Sequence, residues 1–132
     1  MLLKDYLRYV IKQRRQNFNT DSVNEALNIL LVADWYSCVS QGKTITETNW
    51  SKGKKHILFL VRKQLADEGL KDKVKNAVTS PTVDEKEIIA QAIKDAEALG
   101  IRKAVNNIFP VKHNHMKKDF MQILKLYRKQ GN

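Results

Sequence analysis

The stretch "LNILLVADWYSCVSQGKTITETNW", residues 27–50, changes character at its middle. As far as Val39 it is apolar on nearly every side of a helical wheel, and after Gly42 it turns polar, threonine-rich and β-branched. A helix that is apolar all round is one that neighbours cover on most sides, so residues 22–41 are expected to form the central core helix. Ser22, with Glu25 three residues later, has the capping-box spacing that opens such a helix. Gly42 is the expected stop, because glycine adopts the left-handed conformation past a helix end without a steric penalty. Beyond it "TITETNW", 44–50, reads as a short strand, since β-branched residues suit extended backbone.

Working outward, residues 2–16 place Leu3, Tyr6, Leu7 and Val10 on one helical stripe and Lys4, Arg8, Lys12 and Arg15 on another, which predicts a basic amphipathic helix. Residues 54–68 return to helical spacing through Ile57, Leu58, Leu60, Val61 and Leu65, and Gly69 ends that element. "KVKNAVT", 73–79, alternates along its length and is the second expected strand, pairing antiparallel with 44–50. Thr82 and Glu85 form another capping box, opening a helix over 83–99 that Gly100 closes and whose apolar face is Ile88, Ile89, Ala92, Ile93, Ala96 and Leu99. A short helix over 101–108 is expected to end before Pro110. A last, basic helix over 115–129 turns Met116, Phe120, Ile123, Leu124 and Tyr127 inward. The expected fold is mainly α: a single domain over 1–132, of five to six helices with a small two-stranded antiparallel β element.

Charge narrows the partners. Lys and Arg number 24 against 14 Asp and Glu, a formal net charge of +10, so an acidic protein, nucleic acid or an anionic surface suits this chain. Cys38 is the only cysteine and cannot form an internal disulfide, and no basic leader with an apolar core opens the sequence; the cytoplasm is the expected compartment. The longest apolar run, "ILLVA" at 29–33, is far short of the roughly 18 residues a spanning helix needs, so no membrane insertion is expected.

Positive signs of catalysis are missing: the sequence has no phosphate-binding GxxxxGK[ST] loop, GxSxG elbow, CxxC pair or HExxH. The chain is read as a non-enzyme with no cofactor and no metal. His113 and His115 with Asp119 could share a metal, but structural zinc usually takes four N or S ligands, and these histidines are expected to cap the last helix and face solvent. Cys38, on an apolar helix face, is expected to be core. Asp34 interrupts the most apolar stretch and must be paired, capped or placed at a rim, because an unpaired buried carboxylate is costly; a bond to a neighbouring Lys or Arg is the expectation.

The segment 27–50 also resembles the amino-terminal core of the Panacea antitoxin domain, the family of SocA-like and GepA-like proteins of bacteria and phages. The shared pattern is an apolar helix running into an aromatic "ADWY" segment, a glycine followed by "K-x-I", and an extended stretch ending in Trp50. "SPTVDEKEIIAQAIKDAEALGIRKAVNNIFP", 80–110, is similar to the family's later helices, and the Panacea-like core spans about 20–110. One departure is clear: where the family commonly has a Tyr-Gly-Pro-type turn after the tryptophan, this chain reads "WSKGKK", with Lys54 in the place of proline. The resemblance implies a mostly helical domain with a small sheet and a non-catalytic protein that binds and neutralises a toxin or host factor, or hands it to a protease.

Two functions from different classes follow. The first is a protein-binding module whose acidic partner docks on Trp50, Lys52, Lys54 and Lys55, an aromatic anchor beside cations, although Trp50 is equally suited to the core. The alternative is a small nucleic-acid-binding protein contacting phosphates through Lys117, Lys118, Lys125, Arg128, Lys129, Arg14 and Arg15 on its terminal basic helices. The sequence does not determine the oligomeric state.

Overall fold

Seven α-helices and one 3-10 turn make up the regular structure that a computed structural model describes over residues 2–67 and 80–131. They are α1 (Leu3–Gln13), α2 (Thr20–Gln41), a 3-10 turn (Trp50–Lys52), α3 (Lys54–Asp67), α4 (Val83–Leu99), α5 (Ile101–Asn106), α6 (Phe109–Lys112) and α7 (Phe120–Gln130). The mainly α expectation holds. Among the described residues no strand forms, and the expected second strand at 73–79, like Gly69, lies outside them.

α2 is the centre of the molecule, packing against α1, α3, α4, α5 and α7. That arrangement accounts for its apolar circumference, with Leu27, Ile29, Leu30, Leu31, Val32 and Ala33 all buried. Its start differs from expectation. Asn19, not Ser22, is the cap: the Asn19 side chain accepts from the Ser22 N–H at 2.9 Å, and Ser22 Oγ accepts from the Asn19 N–H at 2.9 Å. Ser22 therefore sits one turn inside the helix and closes a reciprocal box with asparagine, an equally good cap residue. At the far end Gly42 is left-handed, φ 75°, as its sequence position requires.

The 44–50 segment is not a strand, and the reason is local. The N–H groups of Ile45 and Thr46, which a ladder would pair, both donate to the Asp34 carboxylate on α2, and Glu47 takes φ 56°. A side-chain acceptor has replaced the partner strand, so the β-branched run wraps across α2 as an irregular loop.

α4 starts at the predicted box: Thr82 Oγ1 accepts from the Glu85 N–H at 3.2 Å, and Glu85 Oε1 accepts from the Thr82 N–H at 2.9 Å. Its acidic residues then tie it to the core, Glu85 accepting from the Tyr6 hydroxyl at 2.9 Å and Asp95 from the Tyr36 hydroxyl at 2.5 Å. Past Gly100 the expected short helix is present and ends before Pro110, at Asn106. Two features depart from expectation: a further short helix, α6, holds Pro110 in its first turn, where its missing N–H has no partner to lose, and the last helix starts later. The last helix begins at Phe120, not 115, because Asp119 accepts from the Gln122 N–H at 2.9 Å and makes the stronger start. Residues 113–119 form turns instead, and His113 and His115 stack on Phe109, with ring centroids 4.5 and 5.5 Å away. They do not cap α7.

Candidate functional site

The most polar point of the core is Asp34, fully buried in the middle of α2. Ser37 on α2 and Thr46 in the loop are buried as well, but Asp34 alone carries a formal charge among the buried polar residues of α2. Its Oδ1 accepts from the N–H groups of Ile45 at 2.8 Å and Thr46 at 3.0 Å. Its Oδ2 accepts from Thr46 Oγ1 at 2.5 Å and from Trp50 Nε1 at 2.8 Å. A cation was expected here; among the described residues none pairs with Asp34, and four neutral donors satisfy the carboxylate instead. Burial pushes its carboxyl above the ordinary value, and the bonds from Thr46, Trp50 and Ile45 act in the opposite sense.

These bonds make a latch. Thr46 Oγ1 lies 2.7 Å from Thr48 Oγ1, and Ser37 Oγ on α2 donates to the Lys43 carbonyl at 2.7 Å, so both ends of the loop are fixed to one helix. Trp50 closes the latch from the far end, stacked near Phe120 of α7 with centroids 6.4 Å apart. Gly53, φ 91° and ψ 141°, then makes a bend that side chains avoid and launches α3. The cluster is closed off from solvent and consists of a carboxylate with every bond made; it positions α3 and presents no reactive group.

The expected partner-binding set is divided by this geometry. Trp50 is 1 % exposed and committed to Asp34, so its ring lies in the core and not on a docking surface. Lys52, Lys54 and Lys55 are exposed, and Lys54 Nζ donates to Asn28 Oδ1 at 3.0 Å, its ammonium lowered by partial burial. Sequence reasoning missed the aromatic group that does face outward from this region. Phe59 is 65 % exposed on α3, and Leu60, expected inward, is 43 % exposed, while Ile57, Val61 and Leu65 make the buried stripe. The signal was present: 57, 61 and 65 are spaced by four, which leaves Phe59 on the opposite side.

Of the cations read as phosphate contacts, Lys117, Lys118, Lys125, Arg128 and Lys129 are exposed, the last three on α7. Arg15 is exposed too, but Arg14 is turned inward. Its guanidinium lies 3.3 Å from Glu25 and 3.6 Å from Glu97, bridging α1 to α2 and α4. Cys38 is buried as expected, its thiol 3.5 Å from the Phe120 carbonyl oxygen, and burial pushes it up. Asp119, the third member of the expected histidine cluster, is occupied as the cap of α7. Among the described residues no group of three or more His, Cys, Asp or Glu could hold a metal ion, and no helix is long and apolar enough to cross a membrane.

Compared with protein-family models, curated proteins and solved structures, the chain matches none.

Proposed function

We propose that this chain is a non-enzymatic protein-binding module of the Panacea antitoxin kind, which neutralises an acidic toxin or host factor in the cytoplasm by direct contact through the outward face of α3. The observation that carries the reading is Phe59, 65 % exposed on a helix whose neighbouring Lys55, Arg62 and Lys63 are exposed as well. Residues 55, 59, 62 and 63 fall on one helical face, so the aromatic ring and the cations form one patch. Aromatic anchors beside cations are the side chains that dominate protein interfaces, and a positive rim steers an acidic partner. Trp50 supports this patch from beneath by fixing the chain that leads into α3.

The small sheet that the Panacea resemblance implies does not form among the described residues, and only its helical part lends support to this reading. The quoted helix, glycine and tryptophan correspond here to α2, its Gly42 stop and the latch. Lys54, which departs from the family pattern, is the first residue of α3, the position where proline also starts helices, so the departure leaves the path of the backbone intact.

The test is purification of a tagged copy with and without nuclease, followed by co-expression of any recovered protein. A partner retained after nuclease, released by Phe59→Ser at unchanged melting temperature, and toxic unless this chain is present, is the expected outcome. A partner that Phe59→Ser leaves bound would place the contact elsewhere. The second reading, phosphate binding, draws on the exposed cations of α7 and the turn before it: among the described residues none of Lys117, Lys118, Lys125, Arg128 and Lys129 forms an ion pair.

A further inference from the structure

α4 is the acidic part of a basic chain. Val83–Leu99 holds five carboxylates, Asp84, Glu85, Glu87, Asp95 and Glu97, against Lys86 and Lys94, a net charge of −3 in a molecule of +10. A groove of about 420 Å³ runs along this helix beside α2, lined by Tyr36, Glu87, Ile88, Gln91 and Asp95. Tyr36 and Ile88 are half-buried and give the groove its apolar surface, while Glu87 and Gln91 are exposed. Asp84, one turn before Ile88, is exposed on the same helical face. Among the described residues neither Asp84 nor Glu87 forms an ion pair, and Asp95 meets only neutral donors, the Tyr36 hydroxyl and the Gln91 amide. The groove therefore has an apolar middle flanked by carboxylates that no cation of its own copy has taken.

The complementary pattern lies on α3. Phe59 is 65 % exposed, with Lys55 one turn before it and Arg62 and Lys63 one turn after, all exposed. α3 packs against α1, α2 and the 3-10 turn, and α4 against α2 and α5, so ring and groove belong to separate parts of the surface. We infer that the α3 face of one copy docks in the α4 groove of a second copy, Phe59 against Ile88 and Tyr36 and the flanking cations against Asp84, Glu87 and Asp95. A helix laid in an apolar groove is a recurring recognition mode, and opposite charges at its edges fix the pairing. The net charge of +10 opposes association, but at about 0.15 M salt it is screened beyond about 8 Å, whereas groups in contact still attract. Because the two faces differ, the contact is heterologous and copies join head to tail. One helix face in a short groove belongs with the small, transient interfaces, those under about 1,200 Å². The inference rests on the outward α3 face of the proposed function and adds what covers that face before an acidic partner competes for it.

Sedimentation velocity of the purified full chain, from about 10 μM to about 1 mM at about 0.15 M salt, reads the association. The average mass should rise with concentration past that of two chains. Phe59→Ser should weaken assembly by about tenfold or more, as the loss of an aromatic anchor does. Glu87→Lys combined with Gln91→Lys, both exposed positions, should do the same at unchanged melting temperature. Mixed in equal amounts, the two variants should form a dimer and nothing larger, since one keeps the groove and the other keeps the α3 face. The inference is overturned by a parent that stays monomeric to about 1 mM, by either variant assembling like the parent, or by a mixture no more associated than its parts. The groove variant retains the whole α3 face and should still bind any acidic partner recovered by purification. A chain that holds such a partner through Phe59 yet never self-associates defeats this inference alone, and one that assembles as described without any partner defeats only the toxin-binding reading.

Discussion

Trp50 Nε1 donates a 2.8 Å hydrogen bond to Asp34 Oδ2 across sixteen residues of chain, with both side chains sealed from solvent. That contact turns a polar, threonine-rich loop into a fixed support for α3. It also explains why the most apolar helix of the molecule carries an aspartate. The carboxylate supplies acceptors for backbone that would otherwise need a strand partner.

The bond itself can be separated from the ring. Trp50→Phe keeps an aromatic ring but removes the donor together with part of the ring volume, and should destabilise the fold by at least about 1.5 to 3 kcal/mol, the range for hydrogen bonds to charged groups. Trp50→Ala also empties the site beside Phe120 and should lower stability by about 3 to 5 kcal/mol. Urea unfolding monitored by circular dichroism measures both. A neutral Trp50→Phe would mean that the ring alone holds the loop.

Asp34 gives a pH signature whose sign is fixed by burial. Its folded-state carboxyl binds the proton more tightly than the unfolded chain does, so its contribution is complete below the ordinary value of 3.8 and is lost as pH rises through the folded value. The stability advantage of the parent over Asp34→Asn should therefore shrink as pH climbs from 3 toward 7, a comparison in which the other carboxylates cancel. An advantage that grows with pH would show that the four donated hydrogen bonds outweigh desolvation.

Two hydroxyls should resist ionisation. Tyr6 and Tyr36 are pushed well above the ordinary 10.0, first by burial and then by the carboxylates of Glu85 and Asp95 to which they donate. A raised folded value means stability that is present below pH 10 and lost above it, so alkali should both ionise these tyrosines and release α4. An ultraviolet titration should show them ionising only with unfolding, and Tyr36→Phe should soften the alkaline transition.

Leu30, buried at the centre of α2, reports on the core directly. Leu30→Ala should lower stability by about 2 to 5 kcal/mol. A loss under about 0.5 kcal/mol is what a surface position gives and would contradict its place in the core.

Salt dependence separates the two functional readings. For a protein-binding module, affinity for nucleic acid should be weak at physiological salt. If α7 instead carries phosphate contacts, the slope of log K against log[salt] should be about −0.7 to −0.9 per contacted phosphate, and neutralising Lys117, Lys118, Arg128 and Lys129 should flatten it. Arg14 should not contribute, because Glu25 and Glu97 already hold it.

What the sequence determined by itself is what local chemistry decides. The apolar circumference of α2, the Thr82–Glu85 box of α4 and the Gly42 stop all follow from residues within a few positions of one another, and each is found where its pattern lies. Tertiary structure decided the rest, because the competing interaction comes from elsewhere in the chain. "TITETNW" has strand composition, yet its N–H groups face an aspartate on α2, eleven and twelve residues away, and the loop forms instead. Trp50 and Phe59 are both aromatic residues in basic surroundings, and only the packing of α2, α3 and α7 determines that the first is enclosed while the second is left in water. Hydrophobicity fixes that a ring prefers to be buried; which ring finds an acceptor and a wall to bury it depends on the three-dimensional neighbours.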